Sequence, residues 1–330
     1  MASSQHLDPH EKPPDHIRNV YKKYQKMKLR DLDKDPDIID FKRGLLEEQK
    51  RHIKVIKEYN PEELTAAFRA FEGIQEPTNS QGGLIDPPIL VYEHSHMPGL
   101  HILPALLPPS TQLTLLSRLL HRDLSNPLHL TNLHTHYTLA YPSNPTSPSR
   151  PPNPLRWLTL GGQYDWTAKR YPTSPPPPFP PDIAALLTAV FADAEPQAAI
   201  VNLYSPGDTL SLHRDVAEGC RKGLSSVSLG CEGVFVVGPG DAEGEEREER
   251  DWEGAGKTVL ALRLPSGSAV YMGGEARFAW HGVPQIVAGT CPAYLADWPA
   301  AGGGEGGDFE AWRGWMGGKR VNLNVRQMWD

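Results

Sequence analysis

From Ala198 onward the hydrophobic period of this chain is two. Eight segments alternate apolar and polar residues: AAIVNLY, TLSLHRD, SSVSLG, GVFVVG, TVLALRL, SAVYMGG, HGVPQIV and RVNLNVR. Such alternation suits a strand with one face in a core, because residues i and i+2 share a side there. On a helix the same two residues diverge by about 200°. Many short strands in one stretch predict a double-stranded β-helix, or jelly roll. The expected fold class is therefore α+β with a mainly β core, preceded by a helical extension and a lid.

The preceding residues follow other rules. Residues 1–75 are polar, with Ile17, Val20, Tyr21 and Tyr24 at helical spacing and a similar pattern over Leu45–Val55. Pro61-Glu62-Glu63-Leu64 resembles a helix start, with Pro and acids in the first turn. We expect a peripheral, partly mobile helical extension here. Residues 76–197 read as linker, helices and substrate lid. Within them, 76–100 form a Pro/Gly-rich connector and Ser110 is the expected N-cap of a leucine-rich helix. Proline-rich stretches around 142–154 and 172–181 flank a strand-like LRWLTLGG, and 182–195 read as another helix. Residues 198–330 are the expected jelly-roll core, within a catalytic domain of about 100–330.

Charge and cysteine usage narrow the setting. The formal net charge is −7, of which DAEGEEREERD at 241–251 supplies −5 with seven acids against two bases. That balance argues against a generic nucleic-acid coat. Segment 16–30, however, holds six Lys/Arg and no acid, a possible phosphate track or a solvated helix face. Cys220, Cys231 and Cys291 form no C-x-x-C pair, which fits a reducing compartment. We expect an intracellular protein of the nucleus or cytoplasm, with the mitochondrion as the alternative. No apolar run approaches the roughly 20 residues of a membrane span, so no membrane partner is expected, and a monomer is.

The chemistry is carried by three separated elements. His213 and Asp215 lie two apart in a strand pattern, so both can reach one ion. His281, in Trp280-His281-Gly282-Val283-Pro284, is the best third ligand. Two histidines and one carboxylate leave positions open on Fe(II) for co-substrate and O2. A bare His-x-Asp is weak, and the chain repeats the tripeptide at His121-Arg122-Asp123. That copy ends a helical leucine pattern, where its His and Asp diverge, so we read it as structural. His134-Thr135-His136 lacks a third ligand in plausible order and reads as packing. In the last strand, Arg320, Asn322, Asn324 and Arg326 share one face and Val321, Leu323 and Val325 the other. Two arginines on an inward face call for an anion, and a dicarboxylate suits guanidinium forks. Asn202 and Tyr204 share a face in the same way and are placed to assist.

With these residues in hand, the chain resembles the AlkB family of Fe(II)/2-oxoglutarate dioxygenases. The likeness runs from about Leu155 to Gln327. It covers Asn202 to Asp215, Ser226 to Gly230, Ser266 to Pro284 and the arginine strand, and is greatest to the eukaryotic AlkB homologue 1 subgroup. The resemblance implies Fe(II), 2-oxoglutarate and O2 as cofactors. It implies His213, Asp215 and His281 as iron ligands. Arg320 and Tyr204 would bind the distal carboxylate of 2-oxoglutarate, and Asn202, Asn322 and Arg326 the rest of that pocket. Trp166 and Tyr171, with Tyr164 nearby, match the family's aromatic lid over a flipped base. An acidic base-selecting residue of the bacterial enzyme is replaced here by Ala217, with Glu218 next to it as a partial substitute.

The implied activity is oxidative demethylation of an N-methylated base, releasing formaldehyde. Methyladenine in DNA or tRNA is the expected substrate, with nucleic acid as the partner. One alternative is oxidation of a protein such as a histone. The other is a non-catalytic nucleic-acid-binding protein on the same fold, which an intact triad and both arginines disfavour.

Overall fold

The computed structural model describes residues 7–8, 10–74, 88–125, 128–136, 155–165, 171, 175–239, 259–300 and 309–329. From residue 198 on, the strands are β6 (Ala198–Tyr204), β7 (Leu210–His213), β8 (Leu224–Gly230), β9 (Gly233–Gly238), β10 (Leu260–Leu264), β11 (Ala269–Met272), β12 (Trp280–Ile286) and β13 (Arg320–Arg326). Every alternating segment of the sequence has become one of them. Five more precede: β1 (Ile38–Ile39), β2 (Ile53–Glu58), β3 (Leu90–His94), β4 (Met97–Leu103) and β5 (Trp157–Gly161).

They form two sheets. The smaller runs β1-β10-β9-β12-β7 and the larger β2-β3-β4-β11-β8-β13-β6-β5. The alternation assigns each face. On β9, Phe235 and Val237 join Leu100, Ile102, Val270 and Met272 of the larger sheet in the apolar layer between the sheets. Val234 and Val236 point the other way, to Ile17, Tyr24 and Leu32. On β13, Val321, Leu323 and Val325 pack outward under the helices Pro61–Glu72, Pro109–Ser117 and Pro181–Val190. The polar face of β13 is thereby turned into the space between the sheets.

The N-terminal region departs from expectation. It is neither peripheral nor wholly helical. Ile39 of β1 pairs in parallel with Leu262, and β2 joins the edge of the larger sheet through β3. The helix Asp15–Lys26 lies on the outer face of the smaller sheet, with Ile17 and Tyr24 buried. A few apolar anchors in a charged background suffice for this, since an amphipathic helix needs only one stripe. The helical reading of Leu45–Val55 holds for Glu47–His52 and gives way to strand at Ile53. Lys54, Val55 and Ile56 are left exposed, as suits an edge strand. Part of the expected 76–100 connector is the β3–β4 hairpin.

Local signals fared unevenly. Asn60 caps the helix that begins at Pro61, its Oδ1 accepting from the Glu62 and Glu63 amides at 2.9 and 3.4 Å. The Ser110 cap is corrected: Pro108 is the N-cap, and the Ser110 hydroxyl donates to Glu72 Oε1 at 2.8 Å. In the basic segment, Arg18, Lys23 and Arg30 face Asp15, Asp35, Asp37 and Asp31. Half of its six bases are thus paired with neighbouring acids on a solvated face. Segment 241–251 lies outside the described residues.

Candidate metal centre and co-substrate pocket

His213 ends β7 and His281 is the second residue of β12, and the two are register partners across the antiparallel pair. Directly opposed residues on neighbouring strands bring their side chains close together, here with ring centroids 4.4 Å apart. Asp215 lies just beyond the end of β7. Its oxygens come to 4.0 Å from His213 Nε2 and 3.7 Å from His281 Nε2. One ligand atom from each of the three residues can be chosen so that all lie within 4.8 Å of one another, the single such group among the described residues.

The imidazoles are oriented for ligation. His281 Nδ1 lies 3.0 Å from the Ala279 carbonyl and His213 Nδ1 2.9 Å from the Ser211 carbonyl. A carbonyl only accepts, so each Nδ1 carries the proton and each Nε2 presents a lone pair. Burial and the neighbouring His213 lower the His281 pKa to about 4, so its imidazole is neutral at neutral pH. Burial pushes the Asp215 carboxyl up, but Arg326, His213 and His281 outweigh it and hold it well below the ordinary range.

The β13 face supplies the anion pocket. Arg320 is 1% exposed and lies between the sheets. It donates to the Cys231 and Leu264 carbonyls, both at 3.2 Å, and to Ser228 Oγ at 2.7 Å. A Cβ built on Gly233 would stand 2.8 Å from its Cζ, so any larger residue there would displace the guanidinium. Burial pulls the Arg320 pKa down to about 10. Tyr204 is its register partner on β6, and Asn202 is that of Asn322. Asn322 Nδ2 donates to Ser226 Oγ and the Val227 carbonyl at 2.8 and 3.1 Å. At the far end of the strand, Arg326 Nη1 reaches Asp215 Oδ1 at 3.1 Å and Glu218 Oε1 at 3.0 Å.

Whether these residues fit a metal and a dicarboxylate is tested by what they leave unpaired. Asp215 Oδ2, Tyr204 Oη, Arg320 Nε and Arg326 Nε are buried without a hydrogen-bond partner. Orphaned buried polar groups are costly and rare. Their grouping along one strand face and at the triad is what a bound ion and a bidentate acid would satisfy. The residues fit.

Other predicted residues are placed as follows. Tyr164 and Tyr171 pack edge to face at 5.3 Å. Tyr171 is half-buried, with its hydroxyl enclosed beside Arg326, and that enclosure raises the hydroxyl pKa. Trp166 lies outside the described residues. Glu218 turns inward, its side chain 1% exposed, towards Arg277 and Arg326. Arg277 falls within the matched stretch Ser266 to Pro284, four residues before His281, and has no role assigned from sequence. His134 is absorbed by Thr131 and the Leu124 carbonyl. No helix of the described residues is long and apolar enough to cross a membrane.

Comparison with known proteins adds independent findings. A family model described as the 2OG-Fe(II) oxygenase superfamily matches residues 99–326. The N6-methyladenosine RNA demethylase ALKB1 of Pyricularia oryzae is 44% identical over 98% of this chain and 98% of its own length. The N6-methyladenosine RNA demethylase ALKBH of Cryphonectria parasitica is 54% identical over 53% of this chain and 76% of its own. The tRNA demethylase abh1 of Schizosaccharomyces pombe is 34% identical over 72% and 82%.

Proposed function

The chain belongs to the 2OG-Fe(II) oxygenase superfamily, and from that premise we propose that it is an oxidative demethylase of N6-methyladenine in RNA. The carrying observation is the end-to-end likeness to the Pyricularia RNA demethylase, in a chain that holds the triad and both arginines. The family resemblance by itself implies methyladenine in DNA or tRNA. The named substrates of these relatives favour RNA, with tRNA second.

In this reading His213, Asp215 and His281 would hold Fe(II), while Arg320, Tyr204, Asn202, Asn322 and Arg326 would hold 2-oxoglutarate. When bound, these groups and O2 supply the oxidising power that converts an N-methyl group to formaldehyde. The protein binds, orients and shields. His213 and the neutral His281 turn their Nε2 atoms to one point, and Asp215 supplies one negative charge beside the positive Arg326. Arg320 sits between the sheets, where a carboxylate meets a guanidinium free of competing water. The Tyr164–Tyr171 pair beside Arg326 offers flat apolar surface on which an unstacked base can rest.

The test is formaldehyde and succinate release with Fe(II) and 2-oxoglutarate. Substrates are an oligoribonucleotide carrying N6-methyladenosine, its deoxy counterpart, methylated tRNA and a methylated histone peptide. The RNA oligomer is expected to turn over fastest. Preference for the histone peptide would overturn the nucleic-acid reading, and no turnover on any substrate would reject the activity. Arg320→Ala should raise the half-saturating 2-oxoglutarate concentration by roughly tenfold or more, the worth of a charge-assisted pair. An unchanged requirement would remove Arg320 from the pocket.

A further inference from the structure

Arg277 and Arg320 are the largest fully buried side chains among the described residues, and only Arg320 has a place in the chemistry above. Arg277 stands in the turn Gly274–Phe278, directly before the strand that carries His281. Its guanidinium reaches into segment 214–223, which follows His213 and is not part of any strand or helix. Three of its nitrogens serve three residues there. Nε donates to the Lys222 carbonyl at 2.7 Å, Nη1 to the Asp215 carbonyl at 2.8 Å and Nη2 to Glu218 Oε2 at 3.1 Å. The other oxygen of Glu218 accepts from Arg326 Nη1 at 3.0 Å, and the same Nη1 reaches Asp215 Oδ1 at 3.1 Å. The contacts close a ring: Asp215 main chain, Arg277, Glu218, Arg326, Asp215 side chain.

We infer that Arg277, acting with Glu218, is a positioning residue for the metal centre, tying the Asp215 segment to the turn that leads into the His281 strand. This rests on the metal-site reading above. Asp215 lies past the end of its strand, where no ladder fixes it. The ring fixes its main chain through Arg277 and its carboxylate through Arg326. It also balances two buried guanidiniums against two carboxylates, without which either pair would be expensive to bury. Only a planar fork can serve three acceptors in fixed directions, and a lysine ammonium in the same place is a point charge. Both Glu218 oxygens are committed to arginines, which makes Glu218 a support of the site rather than a reader of the base.

The test is titration of the full chain with Mn(II) without O2, followed by calorimetry and kept separate from turnover. Wild type should bind one ion and Asp215→Ala none. Arg277→Lys and Glu218→Gln should each bind roughly ten- to a hundredfold more weakly, the cost usual when the support of a metal ligand is removed. The double variant Arg277→Met/Glu218→Gln should bind no more weakly than Arg277→Met, because one break already opens the ring. A purely structural arginine would lower the melting temperature and leave the affinity of the folded protein unchanged. Folded Arg277→Lys and Glu218→Gln proteins with wild-type Mn(II) affinity would overturn the inference. Should Arg277→Met fail to fold, those two gentler variants decide alone. A wild type that binds no Mn(II) would sink the metal reading and this inference together, whereas unaffected variants beside a binding wild type would sink only the latter.

Discussion

His121-Arg122-Asp123 and His213-Arg214-Asp215 are one tripeptide in two backbones. The first lies in the helical turns Arg118–Ser125, continuing Pro109–Ser117. Its His and Asp diverge, and Arg122 grips its neighbour Asp123 with two bonds of 2.7 and 3.0 Å. His121 stacks between Trp298 and Phe309, with centroids 4.9 and 4.3 Å away. In the second copy the middle arginine turns away, pairing with Glu11 and lying 4.8 Å over the Trp280 ring. Asp215 is left to Arg326, from a distant strand, and to the two histidines. The residue types are the same. The fate of the carboxylate follows from what the backbone does with the arginine between.

Replacing each aspartate should separate the two roles. Asp215→Ala should have the largest effect on function, with loss of Mn(II) binding by calorimetry and of formaldehyde release. Full activity in that variant would move the metal centre elsewhere. Asp123→Ala should do the reverse. It removes a fully buried carboxylate from Arg122 and leaves that cation with Asp182 alone. Because Asp182 still compensates the cation, the loss should be part of the about 3–5 kcal/mol that an uncompensated buried charge costs. Chemical denaturation should register the loss while Mn(II) stoichiometry stays at one, and a loss of metal binding with unchanged stability would refute the contrast.

How much of this was legible follows from range. The eight C-terminal strands could be read because period two is a local signal. The inward face of β13 could be read because an alternating strand with two arginines needs an anion on the buried side. Distinguishing the two tripeptides needed only the flanking period. Strands β1 and β2 escaped, since two to six residues beside charged runs carry almost no periodicity and owe their state to β10 and β3. The Arg277–Glu218 contact escaped as well, spanning 59 positions between residues whose local sequence says nothing of each other.

A depressed histidine pKa does not mark the metal centre, and pH can show it. His94, outside the site, is lowered to about 4 by burial and by His96 and His52, just as His281 is lowered to about 4. In both cases the folded chain disfavours the proton that the unfolded chain accepts near pH 6.5. The associated stability is full above that pH and is lost as pH falls from about 6.5 towards 4. His94→Gln should flatten that limb in denaturation measured from pH 7 to pH 4. Mn(II) should oppose the part due to His281, because protonation competes with ligation, and leave the part due to His94. Equal protection of both limbs by Mn(II) would remove the distinction.

The smallest effect is expected at the first histidine of the comparison. His121 contributes ring area between Trp298 and Phe309 and no ligand atom. Aromatic contacts of this kind contribute about 0.5–1.5 kcal/mol beyond burial, and leucine restores part of the apolar area. His121→Leu should therefore shift the denaturation midpoint slightly and leave Mn(II) affinity untouched. His213→Leu, the same exchange in the same tripeptide, should abolish Mn(II) binding, because it removes one of three ligand atoms from a site that has no fourth residue in reach among those described. If the two variants behaved alike in the titration, backbone context would not be what separates the copies, and the strand-end geometry of His213 and Asp215 would lose its explanatory role.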